Sequence, residues 1–87
     1  MKKQEPIHSV AELGARIREA RQSQGLTQQE FADVCGVGVR FLSEVERGKE
    51  SAEIGLVLRL LSRAGLDVMV LGRHHEQSRY WGESRYE

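Results

Sequence analysis

Apolar positions recur along this chain in blocks divided by glycines. In the first block Val10, Leu13, Gly14, Ile17 and Ala20 fall at three- and four-residue steps on one side of a helix, while Arg16, Arg18, Glu19 and Gln22 point elsewhere. Ser9 followed by Glu12 has the spacing of a capping box, so the helix should start there and stop near Gly25. Thr27 with Glu30 repeats that spacing. A short second helix follows, with Phe31, Ala32, Val34 and Cys35 on its apolar side and Gly36 as its end. Val37 and Gly38 separate it from a third helix over Val39 to Glu46, where Phe41, Leu42 and Val45 share a face. Two short helices joined by a tight glycine-containing turn are the expected result.

The fourth block is apolar on two sides. Ser51 is the expected cap; Ile54, Val57, Leu58 and Leu61 make one stripe, and Leu56 with Leu60 make another nearly opposite, before Gly65. One stripe suits the domain's own core, and the other, through Leu56 and Leu60, a second molecule. Residues 66–71, L-D-V-M-V-L, change period and read as a strand between glycine stops. No second strand is evident to pair with it. A lone strand would expose Val68, Met69, Val70 and Leu71 together with unpaired backbone groups, and pairing with the same segment of a second copy about a two-fold axis relieves both. A short pairing with residues 5–8 is the weaker option, because Pro6 lacks a donor. Residues 73–87 carry no periodic apolar face and should be mobile, although they hold Tyr80, Trp81 and Tyr86. The expected organisation is an arm over residues 1–8, a domain over 9–72 and a flexible tail over 73–87.

Composition narrows the classes. Eighty-seven residues, 39% hydrophobic and 30% charged, are enough for one small core and leave little room for a buried catalytic pocket. No Ser-His-acid or paired-carboxylate arrangement stands out, so nothing suggests an enzyme. The single Cys35 makes no internal disulfide, falls at a core position, and reads as packing before redox chemistry. The adjacent His74 and His75 have no third ligand nearby; no metal, cofactor or membrane partner is expected. With no signal peptide ahead of the first helix, the expected location is the cytoplasm. Lys plus Arg is 13 and Asp plus Glu is 13. A nucleic-acid role must therefore rest on where charges sit, since the net charge is zero.

The run of a helix, T-Q-Q-E-F-A, a C-G-V turn and G-V-R-F-L-S-E-V-E-R-G-K resembles the helix-turn-helix of the Xre, or lambda-repressor-like, family across residues 13–64. R-x-x-R ahead of G-L-T-Q, Gln28, Gly36, Leu42-Ser43 and Glu46-Arg47-Gly48-Lys49 agree together; any one alone would be weak. The resemblance implies a mainly α, lambda-repressor-like bundle of four to five helices plus one C-terminal β-strand pairing across a dimer. Gln28, at a helix start, suits a phosphate, as do Arg47 and Lys49 beyond the third helix. Base readout should come from Gly38, Val39, Arg40, Ser43 and Glu44. Arg40 fits guanine O6 and N7, and Val39 a thymine methyl; Glu44 either accepts from cytosine N4 or merely repels phosphate. Ser43 suits backbone contact or packing. The family commonly joins an Arg late in the first helix to a Glu late in the third, which implies a structural ion pair between Arg21 and Glu46.

S-A-E-I-G-L-V-L-R-L-L, the strand after it and a polar tail with Trp81 are similar to HipB-type antitoxins. That resemblance implies a dimeric repressor on palindromic double-stranded operator DNA, with a HipA-like serine/threonine kinase toxin as partner. The tail aromatics Tyr80, Trp81 and Tyr86 are then candidates for toxin contact. Two other readings stand beside it: a stand-alone regulator with no toxin, and a protein-interaction subunit that has lost DNA affinity, which the acidic Glu44, Glu46 and Glu50 would suit.

Overall fold

The computed structural model of the chain describes residues 5–73. Four helices follow one another: α1 (Val10–Ser23), α2 (Gln28–Cys35), α3 (Val39–Glu46) and α4 (Ile54–Arg63). Their starts are set locally. Ser9 Oγ accepts from the Glu12 backbone N–H at 3.1 Å, and the Glu12 carboxylate takes the His8 N–H at 2.6 Å, one residue earlier than a capping box would have it. At α2 the box is complete: Thr27 Oγ1 accepts from Glu30 N–H (3.1 Å) and Glu30 accepts from Thr27 N–H (2.9 Å). The cap of α4 is Glu53 rather than Ser51. Its carboxylate accepts the Leu56 N–H at 2.9 Å, and its negative charge suits the positive helix end.

The turn between α2 and α3 depends on Gly36. It adopts φ 72° and ψ 33°, and the chain closes on itself as Gly36 N–H donates to the Asp33 carbonyl (3.2 Å) and Val37 N–H to the Ala32 carbonyl (3.0 Å). A side chain at this φ would be strained, so glycine permits the sharp reversal that sets α3 against α2. The same bond pattern ends α3: Gly48 N–H donates to the Val45 carbonyl (2.9 Å) and Lys49 N–H to the Glu44 carbonyl (3.0 Å).

α1 packs on α3, and α2 on both α3 and α4. Where α1 meets α3, Gly14 is buried, and a β-carbon there would run into the Val45 carbonyl oxygen and lie 2.9 Å from that of Glu46. The core between the helices is Ile17, Phe31, Ala32, Cys35, Leu42, Val45, Val57, Leu60, Leu61 and Ala64. Each large side chain among them contributes about 1.5–3 kcal/mol by leaving water. Burial also holds the Cys35 thiol pKa above its ordinary value, against the opposing charges of Arg63 and Arg59. The Arg59 guanidinium donates to the Cys35 carbonyl at 3.4 Å, a cation at the negative end of α2.

Two details of the apolar pattern differ from expectation. Val34 is exposed, because Phe31, Ala32 and Cys35 already fill the inward side of α2. In α4 the inward stripe is Val57, Leu60, Leu61 and Ala64, at steps of three and four. Leu60 is 0% exposed and belongs to the chain's own core, so its assignment to a dimer face is corrected. Leu56 is half-buried, and the apolar residues that α4 turns to solvent are Ile54 (66% exposed) and Leu58 (46%). Beyond Gly65, residues 66–71 leave the helical bundle with no strand ladder among the described residues. Leu66 packs partly on the core, whereas Val68, Met69, Val70 and Leu71 are exposed. Tyr80, Trp81 and Tyr86, the tail that carries them, and His74 and His75 lie outside the described residues.

Candidate nucleic-acid interface

The eight residues of α3 are amphipathic along their length. Leu42, Val45 and Glu46 face inward, while Val39 and Arg40 face out and Ser43 and Glu44 are half-buried. An isolated helix of this length would be marginal, so its position is owed to the inward side chains and to the two turns that flank it. Gly38 is the N-cap and offers no side-chain bond, which leaves the first-turn N–H groups without a side-chain partner. The exposed end of α3 is therefore a short bare helix start with Val39 and Arg40 beside it.

Arg40 has a side chain 90% exposed, and its Nε lies 3.3 Å from a Glu44 carboxylate oxygen. The other Glu44 oxygen is 3.2 Å from Lys49 Nζ. The Lys49 ammonium, by its hydrogen bond first, holds the Glu44 pKa below the usual carboxylate range, with Arg40 adding to the effect. Arg47 donates to the Ser43 hydroxyl at 2.6 Å. The outward surface of α3 thus carries three cations and one carboxylate, and that carboxylate touches two of the cations.

Beneath this surface lies a second, buried network. Arg21 from α1 meets Glu46 from α3 in a two-pronged pair, Nε to Oε2 at 2.7 Å and a terminal guanidinium nitrogen to Oε1 at 3.1 Å, with both side chains nearly inaccessible. The third guanidinium nitrogen donates to the Leu26 carbonyl at 2.8 Å. Gln28 completes the network, its side-chain amide donating to Glu46 Oε1 at 2.9 Å. No buried side-chain nitrogen or oxygen among the described residues lacks a partner. The ion pair matches expectation. Gln28, expected at a phosphate, has one of its amide hydrogens committed to Glu46, which leaves the other and the α2 start for any phosphate.

The structure brings Gly38, Val39, Arg40, Ser43, Glu44, Arg47 and Lys49 onto one side of α3 and the turn after it, with Gln28 half-buried at the start of α2. The bonds between them went unread in the sequence. Arg40 to Glu44 and Ser43 to Arg47 have the four-residue spacing of helix neighbours, a signal present in the chain. Gln28 with Glu46 has no local signal, being eighteen residues apart. Among the described residues no His, Cys, Asp or Glu cluster could hold a metal, and no helix is long and apolar enough to cross a membrane.

Residues 17–70 match the helix-turn-helix family model, well over half of the chain. An uncharacterized HTH-type transcriptional regulator of Sinorhizobium fredii, y4mF, is 43% identical over 65 residues, covering 75% of this chain and 86% of the relative. Among solved structures, a chain of a HipA-HipB-O2-O3 complex superposes with a TM-score of 0.73 at 21% identity, covering 82% of this chain and 100% of that one. A HipB-O4 20mer complex gives a TM-score of 0.72, again at 21% identity, with 82% and 100% covered. Those likenesses concern the fold.

Proposed function

We propose, because the chain belongs to the Xre-like helix-turn-helix family of transcriptional regulators, that it is a sequence-specific repressor binding palindromic operator DNA as a homodimer in the cytoplasm. The observation that carries this reading is the outward first turn of α3, where Arg40 stands in solvent beside Val39 on a helix whose opposite side is locked into the core. A guanidinium so placed fits the paired acceptors of guanine in the major groove. Gly38, Ser43 and Glu44 would complete the base-facing side, and Gln28, Arg47 and Lys49 would hold the phosphates on either flank. A dimer would set two such helices about 34–36 Å apart, one turn of duplex.

Dimerisation is assigned to Val68, Met69, Val70 and Leu71, with Ile54 and Leu58 added from α4, half-buried Leu56 kept and Leu60 removed. All six of the exposed ones are apolar and face water in the single chain, which a second copy would relieve. In the finer reading the protein is the antitoxin of a HipBA-like operon and binds a HipA-like kinase, with Tyr80, Trp81 and Tyr86 as contacts. The likeness of fold to HipB and the apolar segment after α4 support it. A stand-alone regulator without a toxin is the other reading, and the relative from Sinorhizobium fredii, named only as a transcriptional regulator, fits either.

Selection from a pool of random duplexes, followed by footprinting, tests the DNA reading: a palindrome protected on one face should emerge, and enrichment of nothing would refute it. Sedimentation of the chain truncated after Leu66 should give monomer where the full chain gives dimer. Co-expression with the product of the adjacent reading frame separates the finer reading from its alternative, a stable complex supporting the antitoxin and none supporting the stand-alone regulator.

A further inference from the structure

The carboxylate on the recognition surface has two partners, and both are residues that DNA would need. Glu44 holds Arg40 through one oxygen at 3.3 Å and Lys49 through the other at 3.2 Å. Its hold on Lys49 is reinforced by the backbone, since the Lys49 N–H also returns to the Glu44 carbonyl at 3.0 Å. Lys49 is therefore delivered to this carboxylate by the turn that ends α3. Arg47 differs, leaning on the neutral hydroxyl of Ser43.

We propose that Glu44 is a specificity-determining residue that acts by holding back the cations on either side of it, so that the recognition surface binds arbitrary DNA poorly. This rests on the DNA-binding reading above. On a random duplex, phosphates compete for Arg40 and Lys49, and each cation drawn off leaves the carboxylate facing a polyanion with fewer partners. At a matching site the loss is made good, because Arg40 gains guanine O6 and N7 and Glu44 can accept from a cytosine amine on the neighbouring pair. The same side chain therefore disfavours nearly every sequence and is tolerated at few. With no net charge on the chain to add general attraction, this one carboxylate has a large share in the balance.

The test compares the full-length protein with Glu44→Gln on two duplexes, the palindrome selected by the wild type and a scrambled duplex of equal length and composition, across a salt series. Circular dichroism and thermal melting check that the variant folds; Glu44 is half-buried but lies outside the core, and Gln keeps its size, so it should. The variant should bind the scrambled duplex about tenfold more tightly and lose about tenfold in preference for the selected site. The slope of log affinity against log salt on the scrambled duplex should steepen by about 1–2, as Arg40 and Lys49 become free to displace counterions. Equal affinity of the two proteins for the scrambled duplex, with unchanged salt slope, overturns the proposal while leaving the DNA-binding reading intact. Failure of the wild type to select any sequence overturns that reading, and the proposal with it.

Discussion

Removing the Glu46 carboxylate should take away a large share of the protein's stability. Glu46→Ala strands the Arg21 guanidinium, whose Nε and one terminal nitrogen lose partners at 2.7 and 3.1 Å, in a place water barely reaches. One contact survives, to the Leu26 carbonyl at 2.8 Å, and the Gln28 amide is orphaned as well. Breaking a buried pair from one side costs about 3–5 kcal/mol, against about 0–1 for a pair on the surface. Domains of this size have about 5–15 kcal/mol in all, and each kcal/mol lost lowers the melting temperature by about 4–8 °C. Urea unfolding followed by circular dichroism, extrapolated to zero denaturant, reads the difference. The double variant Arg21→Met with Glu46→Leu removes both charges and should cost far less than the two single changes summed, since no ion is left without a partner. A loss below about 1 kcal/mol for Glu46→Ala, or additive losses in the cycle, would refute the view that these charges are desolvated and coupled.

Three further outcomes follow from the geometry. Gly14→Ala should destabilise: helix propensity favours Ala by about 1 kcal/mol, but the added carbon meets the Val45 and Glu46 carbonyls, which are backbone and cannot swing aside, so the about 1–3 kcal/mol of overpacking should win. A raised melting temperature would contradict this. Arg40→Ala should cost about 1–3 kcal/mol on the selected operator and relax the base choice at one position, while Lys49→Ala should weaken the operator without relaxing any base choice and reduce the salt slope there by about 1; an Arg40→Ala that keeps its base choice, or a Lys49→Ala that leaves operator affinity and slope unchanged, would remove these roles. Because Lys49 is the larger cause of the lowered Glu44 pKa, Lys49→Gln should move that titration back up toward the usual carboxylate range, read by NMR of the carboxyl carbon. A group held lower in the folded state adds stability above its unfolded pKa and loses it as pH falls through the folded one, so the wild type should weaken in acid and Lys49→Gln should show less of that dependence.

What could be read from the sequence was mostly local. Ser9, Thr27, Glu30 and Gly36 act within a few residues of themselves, so the starts of α1 and α2 and the sharp turn before α3 follow from spacing alone. The fourth helix was harder, because Ile54, Leu56, Val57, Leu58, Leu60 and Leu61 crowd eight positions and no polar residue but Arg59 marks an outward side. Packing against α2 selects Val57, Leu60 and Leu61 for the interior, which is why the spacing puts Leu60 on the outer stripe and groups the exposed Ile54 and Leu58 with the inner one. The start of that helix failed for a similar reason: Ser51 and Glu53 both carry an acceptor, and the backbone chose the later one. At the interface the side-chain types were visible while their mutual bonds were not. Gln28 lies far along the chain from Glu46, and nothing short of the fold brings its amide to that carboxylate.

The third helix is split lengthwise between two masters. Leu42, Val45 and Glu46 answer to the interior, and Val39 and Arg40 answer to whatever lies outside. A lineage of such proteins can exchange the latter pair without disturbing the former, so a new binding preference can arise in a few substitutions on a scaffold whose folding never has to change.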